Sequence, residues 1–359
     1  MKQMNTHRLA RAAALLVTLA LSASLQLACV QPAEQAGGAG GAAGGGKKTG
    51  PVRIGLSMDT LKEERWQRDR DLFVARAKEL GAEVLVQSAN GDDKTQVQQA
   101  ENLLTQGVDV LVVIPHNGEV AATIVESARG RNVPVVSYDR LIRSSEPALY
   151  VSFDNEKVGE MQARYLLERA PKGNYVLIGG APTDNNALLF RKGQMNVLQP
   201  AIDRGDVKVV SDQWAKDWLA SEALRVCEDA LTKSNRDVAA VVASNDATAG
   251  GAVSALESAG LGGKVLVSGQ DADLAALQRI VAGKQSMTVY KPVHLLARRA
   301  AEAAVALARG EKVDAPARIN NGKADVPSIL LEPVVVDKAN IDETVVKDGY
   351  QKREAIFQK

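Results

Sequence analysis

Carboxylates, carboxamides and long cations recur at one kind of place in this chain, directly after short apolar, β-branched runs. Asp139 and Arg140 follow one such run, Asp184, Asn185 and Asn186 another, Asn245 and Asp246 a third, and Gln270 and Asp271 a fourth. Lys291 follows a run that ends at Tyr290, and Arg65 and Trp66 come soon after the first run. Carboxylates accept hydrogen bonds, Arg and Lys donate them, and carboxamides do both. A ligand rich in hydroxyls is satisfied by that mixture, because each hydroxyl donates one bond and accepts others. The C–H faces of such a ligand stack on aromatic rings, and Trp66 and Trp218 could supply two flat walls in a chain with only 4% aromatic residues.

Simpler roles exist for each group taken alone. Asp and Asn at strand-to-helix junctions cap helices, a single Trp packs in a core, and Lys291 before Pro292 reads as a solvated charge. Their gathering at one type of sheet edge favours a cleft for a polar ligand. Catalytic readings find less support. Asp271 and Asp273 form a carboxylate pair, but at a helix start they suit capping, and no tuned general acid accompanies them. Gly179 and Gly180 lack the spaced-glycine pattern of a phosphate loop. The histidines, His7, His116 and His294, are scattered, so neither a nucleophile–base pair nor a metal site assembles around them, and no cofactor is expected. Cys29 and Cys227 sit in unlike settings, which excludes a disulfide framework, and Cys227 reads as a small apolar helix residue.

The elements that must position these groups alternate along the chain. Strands are expected over 52–56, 83–86, 108–114 and 133–138, apolar on both faces as buried parallel strands are, with helices over 66–80, 94–106 and 119–129 between them. Gly81, Gly107 and Gly130 suit left-handed helix caps. After a strand at 150–153 the pattern restarts, with strands over 175–178, 207–210, 238–243 and 265–268 and helices over 157–168, 187–198, 219–231, 249–259 and 274–282. Two doubly wound lobes are the natural product, one large α/β sheet or barrel being the alternative. A strand over 287–290, a helix over 293–308 and a strand over 330–336 add one further β-α-β unit, which makes the chain cross between lobes more than once and creates a hinge.

A formal net charge of +1 gives no basic field to draw the chain onto nucleic acid. At the N-terminus, Lys2, His7, Arg8 and Arg11 precede an apolar run over 12–20 and a stretch of small residues ending at Ala28. That is the pattern of an export signal, too short and too interrupted by Ser22, Ser24 and Gln26 to remain as a membrane span. Cleavage after Ala28 would expose Cys29 for lipid attachment, although Gln26 stands where an aliphatic residue is usual. Residues 36–46 are almost pure Gly and Ala, a flexible tether. The expected organisation is a signal over 1–28, an anchor and tether over 29–51, one lobe from 52–154 plus 287–332, and the other from 155–286 plus 333–359. Such a chain works outside the cytoplasm and touches the membrane only through its lipid.

Seven stretches carry a more specific signature: Glu64-Arg65-Trp66-Gln67, Tyr138-Asp139-Arg140, Ser152-Phe153-Asp154-Asn155, Asp184-Asn185-Asn186, Ser244-Asn245-Asp246-Ala247-Thr248, Gly269-Gln270-Asp271-Ala272-Asp273 and Thr288-Val289-Tyr290-Lys291-Pro292. In this order, from about residue 52 to 348, they resemble the D-xylose-binding proteins of bacterial ABC importers. The resemblance implies a type I periplasmic-binding-protein fold, α/β, with two doubly wound parallel-sheet lobes joined by a three-crossing hinge near Asp154, Ser286 and Pro333. It also implies that Arg65, Asp139, Arg140, Asp184, Asn186, Asn245, Asp271 and Lys291 hydrogen-bond D-xylose or a related aldopentose, and that Trp66 and Trp218 sandwich it. A monomer that does no chemistry and hands its sugar to an ABC transporter permease is the implied mode of action. Cys29 and the tether depart from the soluble form familiar in that family. Two other readings use the same core. A sugar-responsive regulator of the lac-repressor type needs an N-terminal helix-turn-helix where this chain has a signal and tether. A sensing subunit for a membrane receptor differs only in its partner.

Overall fold

Runs of Val, Ile and Leu with little polar interruption form the first sheet, and the computed structural model describes residues 51–358 of the chain. The expected signal, Cys29 and nearly all of the tether lie outside the described residues. The first half runs β1 (Val52–Met58), α1 (Glu64–Glu79), β2 (Ala82–Ser88), α2 (Asp93–Thr105), β3 (Val110–Val113), α3 (Ala122–Arg129), β4 (Val135–Tyr138) and β5 (Leu149–Phe153). The second begins with α4 (Asn155–Arg169), β6 (Gly173–Gly179), α5 (Asn185–Asp203), β7 (Val207–Trp214), a 3₁₀ turn at Lys216–Trp218 and α6 (Ala220–Lys233). It goes on through β8 (Ala240–Ala243), α7 (Asp246–Ser258), β9 (Leu266–Val267), α8 (Leu274–Val281) and β10 (Thr288–Tyr290). The tail holds α9 (Val293–Ala308), β11 (Ala317–Asn320), β12 (Asp325–Leu331), β13 (Val334–Val336), a π-helical turn at Asp342–Val346 and α10 (Arg353–Ile356).

The first sheet is ordered β11-β12-β5-β4-β3-β1-β2 and is parallel except for the β11–β12 hairpin at its edge. Helices α1 and α9 cover one face through Phe73, Ala77, Leu296 and Ala300, and α2 and α3 cover the other through Leu103, Leu104 and Ile124. The second sheet is ordered β7-β6-β8-β9 and is entirely parallel, with α6 and α7 on one face and α4 and α5 on the other. Cys227 is buried in the α6–α7 core, and burial pushes its thiol up to about 12. Among the described residues no helix is long and apolar enough to cross a membrane.

The chain passes between the sheets three times. It leaves the first sheet after β5, where Asp154 caps α4 by accepting a hydrogen bond from the Lys157 amide at 3.0 Å. The return expected near Ser286, with a lobe boundary at 287, is corrected to follow Tyr290. β10 pairs with β13, Val289 bridges Gln270, and the Tyr290 ring lies in the second lobe's core with Val336 and Ile341. The single strand expected over 330–336 is two strands. β12 ends at Leu331 in the first sheet and β13 starts at Val334 beside β10, with Pro333 between them, which has no N–H for a ladder. Gly81 and Gly107 adopt the expected left-handed caps at φ +77° and +76°. Gly130 does not. It stays right-handed at φ −60°, and the reversal falls on Asn132 at φ +56°, a residue type that tolerates that region.

Candidate functional site

Parallel strands end on the same side of a sheet, so the residues that follow them converge. Here two sheets present those ends to one another around a pocket with about 330 Å³ of non-atom space, part of it open to solvent. Arg65, Trp66, Asp139 and Arg140 line it from the first lobe, Asp184, Asn186, Trp218, Asn245 and Asp271 from the second, and Lys291 from the crossing between them. Every one of these side chains is buried. All the positions expected from the sequence to contact a ligand therefore line one pocket.

Local structure explains how each is aimed. α1 starts at Glu64, two residues earlier than its periodicity suggests, so Arg65 and Trp66 sit in its first turn and not in a loop. Asp184 caps α5 by accepting from the Asn186 amide at 2.9 Å. Asn245 caps α7 in a reciprocal box, its Oδ1 accepting from the Thr248 amide at 2.9 Å and hydroxyl at 2.8 Å. Capping and pocket-lining thus go together for these residues, since a helix N-terminus beside the cleft puts its cap residue at the pocket wall. Asp139 and Asp271 adopt φ of +59° and +100°, a region non-glycine residues rarely occupy. Such strain collects at binding sites. At Asp139 the twist exposes the main-chain oxygen, which accepts from Ser152 Oγ at 2.6 Å, Tyr150 Oη at 3.0 Å and Asn186 Nδ2 at 3.1 Å.

The charges form a braided network across the cleft. Arg65 donates from Nη2 to Asp139 Oδ2 at 2.8 Å and from Nη1 to Asp271 Oδ1 at 3.4 Å, and its Nε is held by Asp69 at 3.2 Å. Lys291 Nζ lies 3.6 Å from both Asp139 and Asp271. Burial works to raise the Asp139 carboxyl, but Arg65 and Lys291 outweigh it and hold the pKa at about 2. Asp184 goes the other way, because burial exceeds the pull of Arg140 and raises it above the usual carboxylate range. Asp139 is thus held as a charged acceptor. Asn186 Nδ2 donates to its Oδ1 at 3.0 Å.

The aromatic sides are equally built. The Arg65 guanidinium stacks 4.2 Å from the Trp66 ring centre. Trp218 donates from Nε1 to Asp184 at 3.2 Å and packs edge-on against Phe190. Its ring lies so close to the main chain of Gly180 that a Cβ there would stand 2.0 Å from it. That explains a glycine which does not belong to a phosphate loop.

Glu63, Phe190 and Gln270 also line the pocket, beyond the ten positions expected to contact a ligand. Phe190 carries no signal, being one apolar residue inside a helix. Gln270 follows a strand run, and its buried Oε1 has no hydrogen-bond partner among the described residues. Asp273, the other half of the carboxylate pair, is outside the pocket, and its side chain caps nothing. The Leu274 amide of α8 is instead met by Glu64 Oε2 from the first lobe at 3.2 Å.

This arrangement matches known proteins. The periplasmic binding protein domain family matches residues 54–312. The D-xylose-binding periplasmic protein of Haemophilus influenzae is 57% identical over 306 residues, covering 85% of this chain and 92% of that protein. The Escherichia coli protein of the same name is 56% identical over 301 residues, covering 84% of this chain and 91% of its own. Among solved structures, a carbohydrate transporter solute binding protein from Chloroflexus aurantiacus, in complex with D-glucose, superposes with a TM-score of 0.80 at 32% identity, covering 86% of this chain and 98% of its own. The fold is the type I periplasmic-binding-protein fold, and the chain belongs to the periplasmic binding protein family.

Proposed function

We propose that this protein is the extracytoplasmic binding component of an ABC sugar importer and that its pocket holds one aldopentose, D-xylose foremost. The observation that carries the reading is the meeting of buried charged and amide side chains from both lobes around a single pocket. A pyranose hydroxyl there faces carboxylates that accept, cations that donate and carboxamides that do both, while Trp66 and Trp218 offer ring faces to its C–H surfaces. Sugar contacts drawn from both lobes exist only when the lobes are together, so ligand shifts the hinge equilibrium toward the closed form. No bond is made or broken. A hexose is disfavoured by its additional hydroxymethyl group.

The same reading takes the protein to be a monomer, to hand its sugar to a membrane permease and to be anchored through a lipid on Cys29. Replacing Cys29 by Ala then moves the protein from the membrane fraction to the soluble one, and unchanged fractionation speaks against the anchor. For the binding role, calorimetric titration with a panel of aldopentoses and aldohexoses is expected to give one site per chain, tightest for D-xylose. Unaltered affinity in both Asp271→Ala and Asn245→Ala retires the proposed site.

A further inference from the structure

A second cavity of about 650 Å³ of non-atom space adjoins the sugar pocket at the mouth of the cleft, sharing Glu63, Arg140 and Trp218 with it. A closed circuit of polar contacts runs along it and back through Asp184 of the sugar pocket. Asp184 binds Arg140 Nε at 2.8 Å, Arg140 donates to Asp59 Oδ2 at 2.6 Å, and Asp59 Oδ1 meets His116 Nδ1 at 2.9 Å. His116 Nε2 then faces Asp217 Oδ1 of the opposite lobe at 3.9 Å, and Lys62 Nζ donates to the Asp217 main-chain oxygen at 2.8 Å. Trp218, next in the chain, closes the circuit through its bond to Asp184 at 3.2 Å. Asp217 and Trp218 are both left-handed, at φ +51° and +57°. Two consecutive non-glycine residues in that region keep it only when their surroundings impose it. The contacts available to impose it from across the cleft are those of Lys62 and His116.

We infer that Lys62 and His116 are positioning residues for sugar binding: from the first lobe they hold the strained Asp217–Trp218 turn of the second, and so fix the indole wall in the closed form. The inference rests on the pocket being the sugar site. It has a consequence in pH. Protonated His116 faces the carboxylates of Asp59 just after β1, Asp92 and Asp93 at the start of α2 and Asp217 across the cleft, against the like charge of Arg140. The Asp59 hydrogen bond, against the opposing effect of burial, raises its pKa above the ordinary histidine value. Opening the cleft removes Asp217 from this set and also relieves burial of the ring; the loss of Asp217 is taken as the larger effect, so that the open form binds the proton less tightly. By linkage, protonation favours closure, and sugar affinity falls as pH rises through the titration of His116.

The test is titration calorimetry with D-xylose between pH 5.5 and 8.5 on the full-length protein and its variants. Wild-type affinity is expected to drop about two- to fivefold over that range, the scale of a single partly exposed ion pair. His116→Gln and Asp217→Asn are each expected to flatten that drop. Lys62→Met, whose partner is a main-chain oxygen, is expected to weaken binding equally at every pH. Asp217 is on the exposed rim, so its variant remains informative if His116→Gln fails to fold. A flat wild-type profile, or a wild-type slope persisting in both His116→Gln and Asp217→Asn, overturns the inference. Failure of the wild type to bind D-xylose at any pH overturns the sugar assignment itself.

Discussion

Arg140 reaches across the cleft to Asp184, with Nε 2.8 Å from Oδ2, while its Nη1 donates to Asp59 of its own lobe at 2.6 Å. The guanidinium is therefore fixed in the first lobe before it meets the second. The Asp184 oxygen that it meets also accepts from Trp218 at 3.2 Å, so one carboxylate ties the cation of one lobe to an aromatic wall of the other.

Asp184→Asn keeps the size of the side chain and an oxygen to cap α5 but removes the charge. Hydrogen bonds to charged groups contribute about 1.5–3 kcal/mol, so D-xylose affinity is expected to fall by at least about tenfold. Calorimetric titration reads the change, and an affinity within twofold of wild type contradicts the role.

At Asn245 the two oxygen and nitrogen ends of the amide separate two functions. Oδ1 is used in the α7 cap, which leaves Nδ2 for the pocket. Asn245→Ala is expected to lose both sugar binding and about 1 kcal/mol of stability. Asn245→Asp keeps the cap, so its thermal midpoint stays near wild type while binding is lost. Equal loss of stability in both variants argues against this division.

Gly180→Ala places a methyl group 2.0 Å from the Trp218 ring, a distance that forces the indole or the main chain to shift. Weakened binding with a changed tryptophan emission spectrum is the expected result. Wild-type affinity with an unaltered spectrum means that the ring is not held where the pocket needs it.

Asp273 is half-buried, but its Oδ1 is shielded from solvent with no hydrogen-bond partner among the described residues, and this desolvation, reinforced by Asp246, Asp271 and Glu64, pushes its carboxyl well above the ordinary carboxylate value. The folded form therefore keeps a proton that the unfolded chain releases, and this group costs stability increasingly as pH rises above the unfolded carboxylate value of about 4 toward the raised folded one. Asp273→Asn removes that cost. Its thermal midpoint should exceed that of wild type by more at pH 8 than at pH 5, as scanning calorimetry can show, and an identical difference at both pH values refutes the assignment.

The parts legible in the sequence are those where one residue type has one physical consequence. Short β-branched apolar runs such as Val110–Val113 favour buried strands, and polar residues placed directly after them fall at the sheet edge. The parts that were not legible depend on tertiary pairing. Nothing in the sequence near Tyr290 says that β10 pairs with β13, and the apolar run around Pro333 hides a change of sheet. Positive φ at Asp139 and Asp271 falls on residues that are not glycine, so no glycine announces it in the sequence. Phe190 and Glu63 enter the pocket from a helix interior and a loop, positions shared with many residues that do nothing there.

The most direct test of the central claim is a crystal structure of the protein grown with D-xylose. A single pyranose is expected between Trp66 and Trp218, hydrogen-bonded at once to Asp139 and Arg140 of the first lobe and to Asn245 and Asp271 of the second. A sugar held by one lobe alone, or seated away from these side chains, contradicts the account.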